Sequence, residues 1–211
     1  MREIKFRAWN EKNKEIMKLK DTQSNERAKM KKKKSWNKDD VYRTTKCFSP
    51  RTNGYPGGFP VGFMKYLEKN GWIKGKVCFL CSGKAEYPNA VTVDINAGVK
   101  PTYCCDARNT GLEPEQFDTI IIDPPYTKEL ADKLYNTSKW FSSINSFTKE
   151  AERLCKPGGL IVTLSYEVPK RIKNTNFIVV IGVYQTISVA HIRCLTVSRK
   201  FKEVSGNSSQ S

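Results

Sequence analysis

A chain of 211 residues with 38% hydrophobic content is long enough for one globular domain plus an extension, and it holds enough apolar material for a core. Its formal net charge of +16 suits a polyanionic partner and argues against a basic one, although general adhesiveness or ribosomal association would also account for it. No apolar run approaches the roughly 20 residues that span a bilayer, and Met1-Arg2-Glu3-Ile4-Lys5 lacks the marks of a secretory leader, so we expect a cytoplasmic protein with no membrane partner.

Residues 1–46 hold 16 Lys/Arg against 7 Asp/Glu, a net of +9, centred on Lys31, Lys32, Lys33 and Lys34. Like charges repel and little apolar surface is present, so this stretch reads as a basic, flexible extension whose lysines can meet phosphates. From Cys47 the pattern becomes that of a folded domain, expected to run to Phe201, with a disordered tail over 202–211. Val61 to Asn70 predicts a helix stopped by Gly71. Lys76 to Leu80, Val91 to Asp94 and Thr102 to Asp106 predict three short strands. Phe141, Ile144, Phe147, Ala151 and Leu154 mark one face of a helix that Pro157-Gly158-Gly159 ends, and Leu160 to Ser165 predicts a strand. The Val- and Ile-rich runs Phe177 to Tyr184 and Val189 to Ser198 pair as an antiparallel hairpin. Strands alternating with helices give an α/β, mostly parallel mixed sheet with helices on both faces and this hairpin at its C-terminal end.

The seven cysteines read as small apolar residues in a reducing compartment. Cys78 and Cys81 form a C-x-x-C with Cys104-Cys105 downstream, but adjacent cysteines on a strand point to opposite faces, so we expect no metal site. His191, the single histidine, lies in a β-rich run and reads as structural.

Between the third strand and the second helix lies the segment with the most chemistry. Thr119-Ile120-Ile121-Ile122 reads as a buried parallel strand, and Asp123-Pro124-Pro125-Tyr126 follows at its carboxyl end, where open α/β sheets bind ligands. An amine on a nucleobase ring is a poor nucleophile because its lone pair is delocalised. The Asp123 carboxylate and the Pro124 carbonyl could accept its two hydrogens and localise that pair, while Tyr126 offers a flat face for a base drawn from its stack. Such stacking is worth about 1–3 kcal/mol per base. The same four residues could also end a strand as a plain turn.

On these residues the chain resembles the S-adenosylmethionine-dependent amino-methyltransferase family, which carries a D/N/S-P-P-Y/F/W signature, from about Phe48 to Lys200. The resemblance implies a Rossmann-like methyltransferase fold, S-adenosyl-L-methionine as cofactor, and methyl transfer to adenine N6 in DNA; cytosine N4 and RNA amines would need the same residues. It implies base binding and amine activation by Asp123, Pro124 and Tyr126. For the donor, the turn Cys81-Ser82-Gly83 lets backbone approach, Asp94 at a strand end suits ribose hydroxyls, Asp106 matches the family position that meets the adenine, and Asp123 closes the row. Pro56 to Phe63 resembles the family's motif upstream of the cofactor loop. Two positions depart from the pattern: Phe79 stands where an acid is usual and Lys84 near a usual second glycine, which leaves open an inactive relative that binds nucleic acid. Lys128 and Lys133 after Tyr126 are further candidate phosphate contacts, a solvated helix face being the alternative. About thirty residues separate Tyr126 from Pro157, leaving no room for a separate target-recognition domain, so short-site or low specificity is expected. The opening Met1 to Trp9 is similar over about ten residues to the start of the YopX family of phage proteins, which implies a phage origin.

Overall fold

The computed structural model describes residues 41–49, 58–135, 143–185 and 188–201. These form one eight-stranded sheet flanked by helices. In chain order they are β1 (Tyr42–Phe48), α1 (Phe63–Lys69), β2 (Val77–Leu80), β3 (Val91–Asp94), β4 (Tyr103–Cys104), β5 (Phe117–Ile122), α2 (Lys128–Tyr135), α3 (Ile144–Leu154), β6 (Cys155–Ser165), β7 (Thr175–Gln185) and β8 (Ser188–Lys200). The spatial order is β1-β7-β8-β6-β5-β2-β3-β4. β8 runs antiparallel to both β6 and β7, and the other described pairings are parallel. This is the Rossmann-like, mostly parallel mixed sheet with a C-terminal antiparallel hairpin expected above.

The order fixes where a ligand can enter. From β2 the chain moves outward through β3 to β4, then returns to place β5 on the other side of β2. The crevice outside the carboxyl ends of β2 and β5 is therefore the switch point at which such sheets bind ligands.

Side-chain alternation builds a core on each side. Val77 and Phe79 of β2 join Phe63 and Leu67 of α1 in one cluster, whereas Cys78 and Leu80 join Ile144, Phe147, Ala151 and Leu154 of α3 in the other. All four residues of β2 are buried, as a central strand covered on both faces requires. Burying a Leu or Ile fully is worth about 1.5–3 kcal/mol, so the strand ends that carry the acids are anchored from both faces.

Three expectations need correction. The domain boundary at Cys47 falls inside β1, which begins at Tyr42 and pairs with β7 from Tyr42↔Val179 to Phe48↔Gln185. Pro157-Gly158-Gly159 is not a turn ahead of a strand but part of β6, which starts at Cys155 and shifts register against β5 between Phe117 and Thr119. The glycines allow it: a Cβ on Gly159 would stand 2.6 Å from Cys155 Sγ and 2.8 Å from the Lys156 carbonyl. The third strand, expected over Thr102 to Asp106, is only Tyr103–Cys104 at the sheet edge. The stretch with Lys31, Lys32, Lys33 and Lys34, and the tail over 202–211, lie outside the described residues.

Candidate active site

β5 is buried along most of its length and ends at Ile122, so the next residue leaves the sheet at its carboxyl edge. Asp123 stands there half-buried, followed by a buried Pro124. The chain bends so that the Tyr126 hydroxyl donates to Asp123 Oδ1. Arg193 Nη1 of β8 donates to the same hydroxyl at 3.0 Å. The Tyr126 ring stacks on Tyr166, with centroids 4.3 Å apart and planes at 25°. The sequence reading gave Tyr126 only a flat face. The structure gives its hydroxyl a role as well, and one ring face is already occupied.

Electrostatics keep this group in one protonation state. Burial pushes the Tyr126 phenol well above its ordinary value and neighbouring Asp123 pushes the same way, with Arg193 opposing. Burial pulls the Arg193 guanidinium down, but Tyr126 and Asp123 raise it net, so it stays cationic. At neutral pH the site therefore holds a protonated phenol and a buried cation.

The neighbouring strand ends converge on the same edge. Past β2 the backbone turns sharply, with Cys81 at φ 57° and Gly83 at φ 50°. The left-handed region is strained for a residue with a Cβ, and such strain concentrates at functional turns. The Gly83 amide donates to Asp94 Oδ2 at 2.8 Å and the Asn96 amide to Asp94 Oδ1 at 2.8 Å, so both carboxylate oxygens are oriented by backbone. Burial pushes the Cys81 thiol well above its ordinary range, and Asp94, Asp123 and Asp106 add to this, in that order. The structure thus brings together Cys81, Gly83, Asp94, Asp106 and Asp123.

Asp106 is not solitary. Arg108 clamps both of its oxygens, with Nε at 2.9 and 3.0 Å and the Arg108 amide at 2.9 Å, and this hydrogen bonding holds the carboxyl below its ordinary value. The loop beyond is tied to α3, because Glu150 accepts from the Thr110 amide at 3.0 Å and from its hydroxyl at 2.7 Å. Phe79, where an acid is usual, is buried in the core near Phe59 and Tyr87, and Phe59 stacks on Phe63 at 5.2 Å. Both aromatics are core packing in this structure.

Of the candidate phosphate contacts, Lys128 is exposed at the start of α2, two residues past Tyr126. Lys133 lies on the same helix, but its side chain, like that of His191 on β8, lies outside the described residues. Cys78 and Cys155 are buried, as expected of small apolar residues, whereas Cys104 is exposed.

Sequence reasoning missed Arg193, Tyr166 and Arg108. Arg193 did carry a signal, since a lone cation inside the apolar run Val189 to Ser198 needs a partner. Tyr166 directly follows a predicted strand, the position that singled out Asp123.

No protein-family model matches the chain. No curated protein matches it either. Similar folds occur among solved structures. A putative methyltransferase, yhhF from Escherichia coli, shares 9% identity over 72% of this chain and 91% of its own, with a TM-score of 0.49. A structure concerned with converting a disulfide bond into a thioacetal group during echinomycin biosynthesis shares 15% identity over 71% of this chain and 85% of its own, with a TM-score of 0.48. The 1,6-didemethyltoxoflavin-N1-methyltransferase of Burkholderia thailandensis, solved with S-adenosylhomocysteine, shares 8% identity over 65% and 76%, with a TM-score of 0.44. These are likenesses of overall fold and assign no activity to this chain.

Proposed function

We propose that the chain is an S-adenosyl-L-methionine-dependent methyltransferase acting on the exocyclic amine of a nucleobase, with adenine N6 in DNA as its substrate. The observation that carries this reading is the placement of Asp123, Pro124 and Tyr126 at the carboxyl edge of β5, beside the Asp94 and Asp106 strand ends. The residues suit the donor. Asp94 is oriented by two amides and each oxygen keeps a lone pair for a ribose hydroxyl, while the bend from Cys81 to Gly83 lets backbone approach the amino-acid end.

When held by Asp94 and the turn from Cys81 to Gly83, the donor would supply an electrophilic methyl, with a neutral thioether that keeps the bonding electron pair as the leaving group. The protein's part is positioning. Asp123 accepts one amine hydrogen and the Pro124 carbonyl the other, so the nitrogen lone pair points at the methyl and forms the new N–C bond. The nitrogen then sheds one proton, for which Asp123 is the adjacent acceptor, and that proton passes to water. An amine inside a duplex cannot reach such a recessed acid, so the base must leave the stack, at a cost of a few kcal/mol. Lys128 and the basic stretch over 1–46 supply the phosphate contacts that offset it. Cytosine N4 and RNA amines would use the same groups. The likeness of the opening residues to phage proteins suits protection of phage DNA. Expression in methylation-free cells, followed by nucleoside mass spectrometry of DNA and RNA, tests the reading: N6-methyladenine in DNA supports it, N4-methylcytosine or an RNA product redirects the substrate, and no methylated nucleoside overturns it.

One observation favours a second reading, in which the chain binds nucleic acid without catalysis. Arg108 takes up the Asp106 oxygens that would meet the donor's adenine. Calorimetry separates the two readings, because only an enzyme gives heat with the donor.

A further inference from the structure

Arg193 sits on β8 opposite Val183, one residue beyond the Cys194↔Ser165 pair, and so at the carboxyl end of β6. It is only 9% exposed. Removing a guanidinium from water is costly unless good partners compensate, and its side chain reaches the Tyr126 hydroxyl, which in turn bonds the Asp123 carboxylate. From this geometry we propose that Arg193 is a positioning residue for Asp123, acting through Tyr126.

The direction of the hydrogen bonds makes the case. A guanidinium has five donors and no acceptor, so the phenol oxygen must accept from Arg193, and its single hydrogen is then left for Asp123. Polarisation by the cation strengthens that donation. One carboxylate oxygen, Oδ1, is thereby held by a hydrogen bond that cannot reverse, which stops the carboxylate from rotating and fixes the direction of its second oxygen. Without Arg193 the phenol could turn its hydrogen elsewhere and Asp123 would lose its registration against the substrate amine. Lysine would keep the charge but not the planar fork.

This rests on the methyltransferase reading, and its test separates the two. Steady-state kinetics are measured on genomic DNA from methylation-free cells for wild type, Arg193→Met, Arg193→Lys, Tyr126→Phe and the double variant Tyr126→Phe with Arg193→Met. We expect Arg193→Met to lower kcat about tenfold to a hundredfold, as loss of geometry does, with KM for the donor unchanged. Arg193→Lys recovers part of the loss, and the double variant is no worse than Tyr126→Phe alone. A kcat within twofold of wild type in Arg193→Met, or a double loss equal to the product of the single losses, overturns the proposal while leaving the methyltransferase reading intact. If Arg193→Met does not fold, the decisive comparison is Arg193→Lys, whose loss must vanish in the Tyr126→Phe background. A wild type that methylates nothing overturns the reading of function and this inference with it.

Discussion

Gly83 and Asp94 are joined by a 2.8 Å hydrogen bond from backbone amide to carboxylate, which ties the turn after β2 to the end of β3. The acid thus shapes the loop, in addition to the donor contact proposed for it. Asp94→Ala should lower donor affinity more than tenfold in calorimetry. Asp94→Asn should fall between the two, because an amide can accept from one of the two backbone donors but presents its NH₂ to the other. Wild-type affinity in Asp94→Ala would remove this acid from the cofactor site.

Asp123→Ala should nearly abolish turnover while leaving donor affinity close to wild type, since the carboxylate is assigned to the amine. Equal loss of donor binding would sink that assignment. Tyr126→Ala should lower kcat, because the hydroxyl that holds Asp123 is gone, and should also raise KM for nucleic acid through loss of the ring.

Glu150 links stability to acidity. Burial alone would raise its carboxyl, but Arg153 and Thr110 outweigh it and hold the group below its ordinary 4.5. A carboxyl depressed on folding contributes stability that is fully present above its unfolded value and is lost as pH falls through the folded one. Glu150→Gln should therefore cost about 1–2 kcal/mol at neutral pH and flatten the fall of melting temperature below about pH 4.5. An unchanged acid limb would show that the link to Thr110 is not energetically important.

Gly159→Ala forces a methyl against Cys155 Sγ and the Lys156 carbonyl, both closer than 3 Å to the new atom. Overpacking of this kind costs about 1–3 kcal/mol, read as a lower urea midpoint with unchanged slope. A neutral substitution would mean that the strand relaxes at this irregularity.

Removal of residues 1–40 should weaken DNA binding most at low salt and flatten the dependence of log affinity on log salt, by just under one unit per lost phosphate contact on duplex DNA. Turnover at saturating DNA should survive, because all the proposed catalytic and donor-binding residues lie in the separate compact unit that begins at Val41. A full salt slope after truncation would show that this stretch makes no phosphate contacts.

How much of this could be seen in the sequence depended on the range of the interaction. β2, β3 and β5 announce themselves through short apolar runs closed by Gly, Asp or Pro, and α3 through the spacing of Ile144, Phe147, Ala151 and Leu154. The acids at strand ends follow from those boundaries. β1 was hidden because Arg43, Thr44, Thr45 and Lys46 are all exposed, so an edge strand carried no alternation to read. The tie from Arg193 to Tyr126 spans 67 residues and depends on the order β8-β6-β5, which no local pattern encodes. The bulge at Gly158 and Gly159 looks like a turn in the sequence because the same residues serve both, and only the partner strand distinguishes them.

The position of β1 has a consequence for synthesis. The first described strand of the chain pairs with β7, so Tyr42 must wait for Val179, more than half the chain later. Pairing this distant closes a large loop and comes late in folding. Until then β1 is an unpaired strand, the kind of segment that recruits other chains. Arg43 and Lys46, exposed in the finished fold, carry positive charge through that interval. Like-charged nascent chains repel one another there, so the same residues that obscure the strand in the sequence guard it while its partner is still being made.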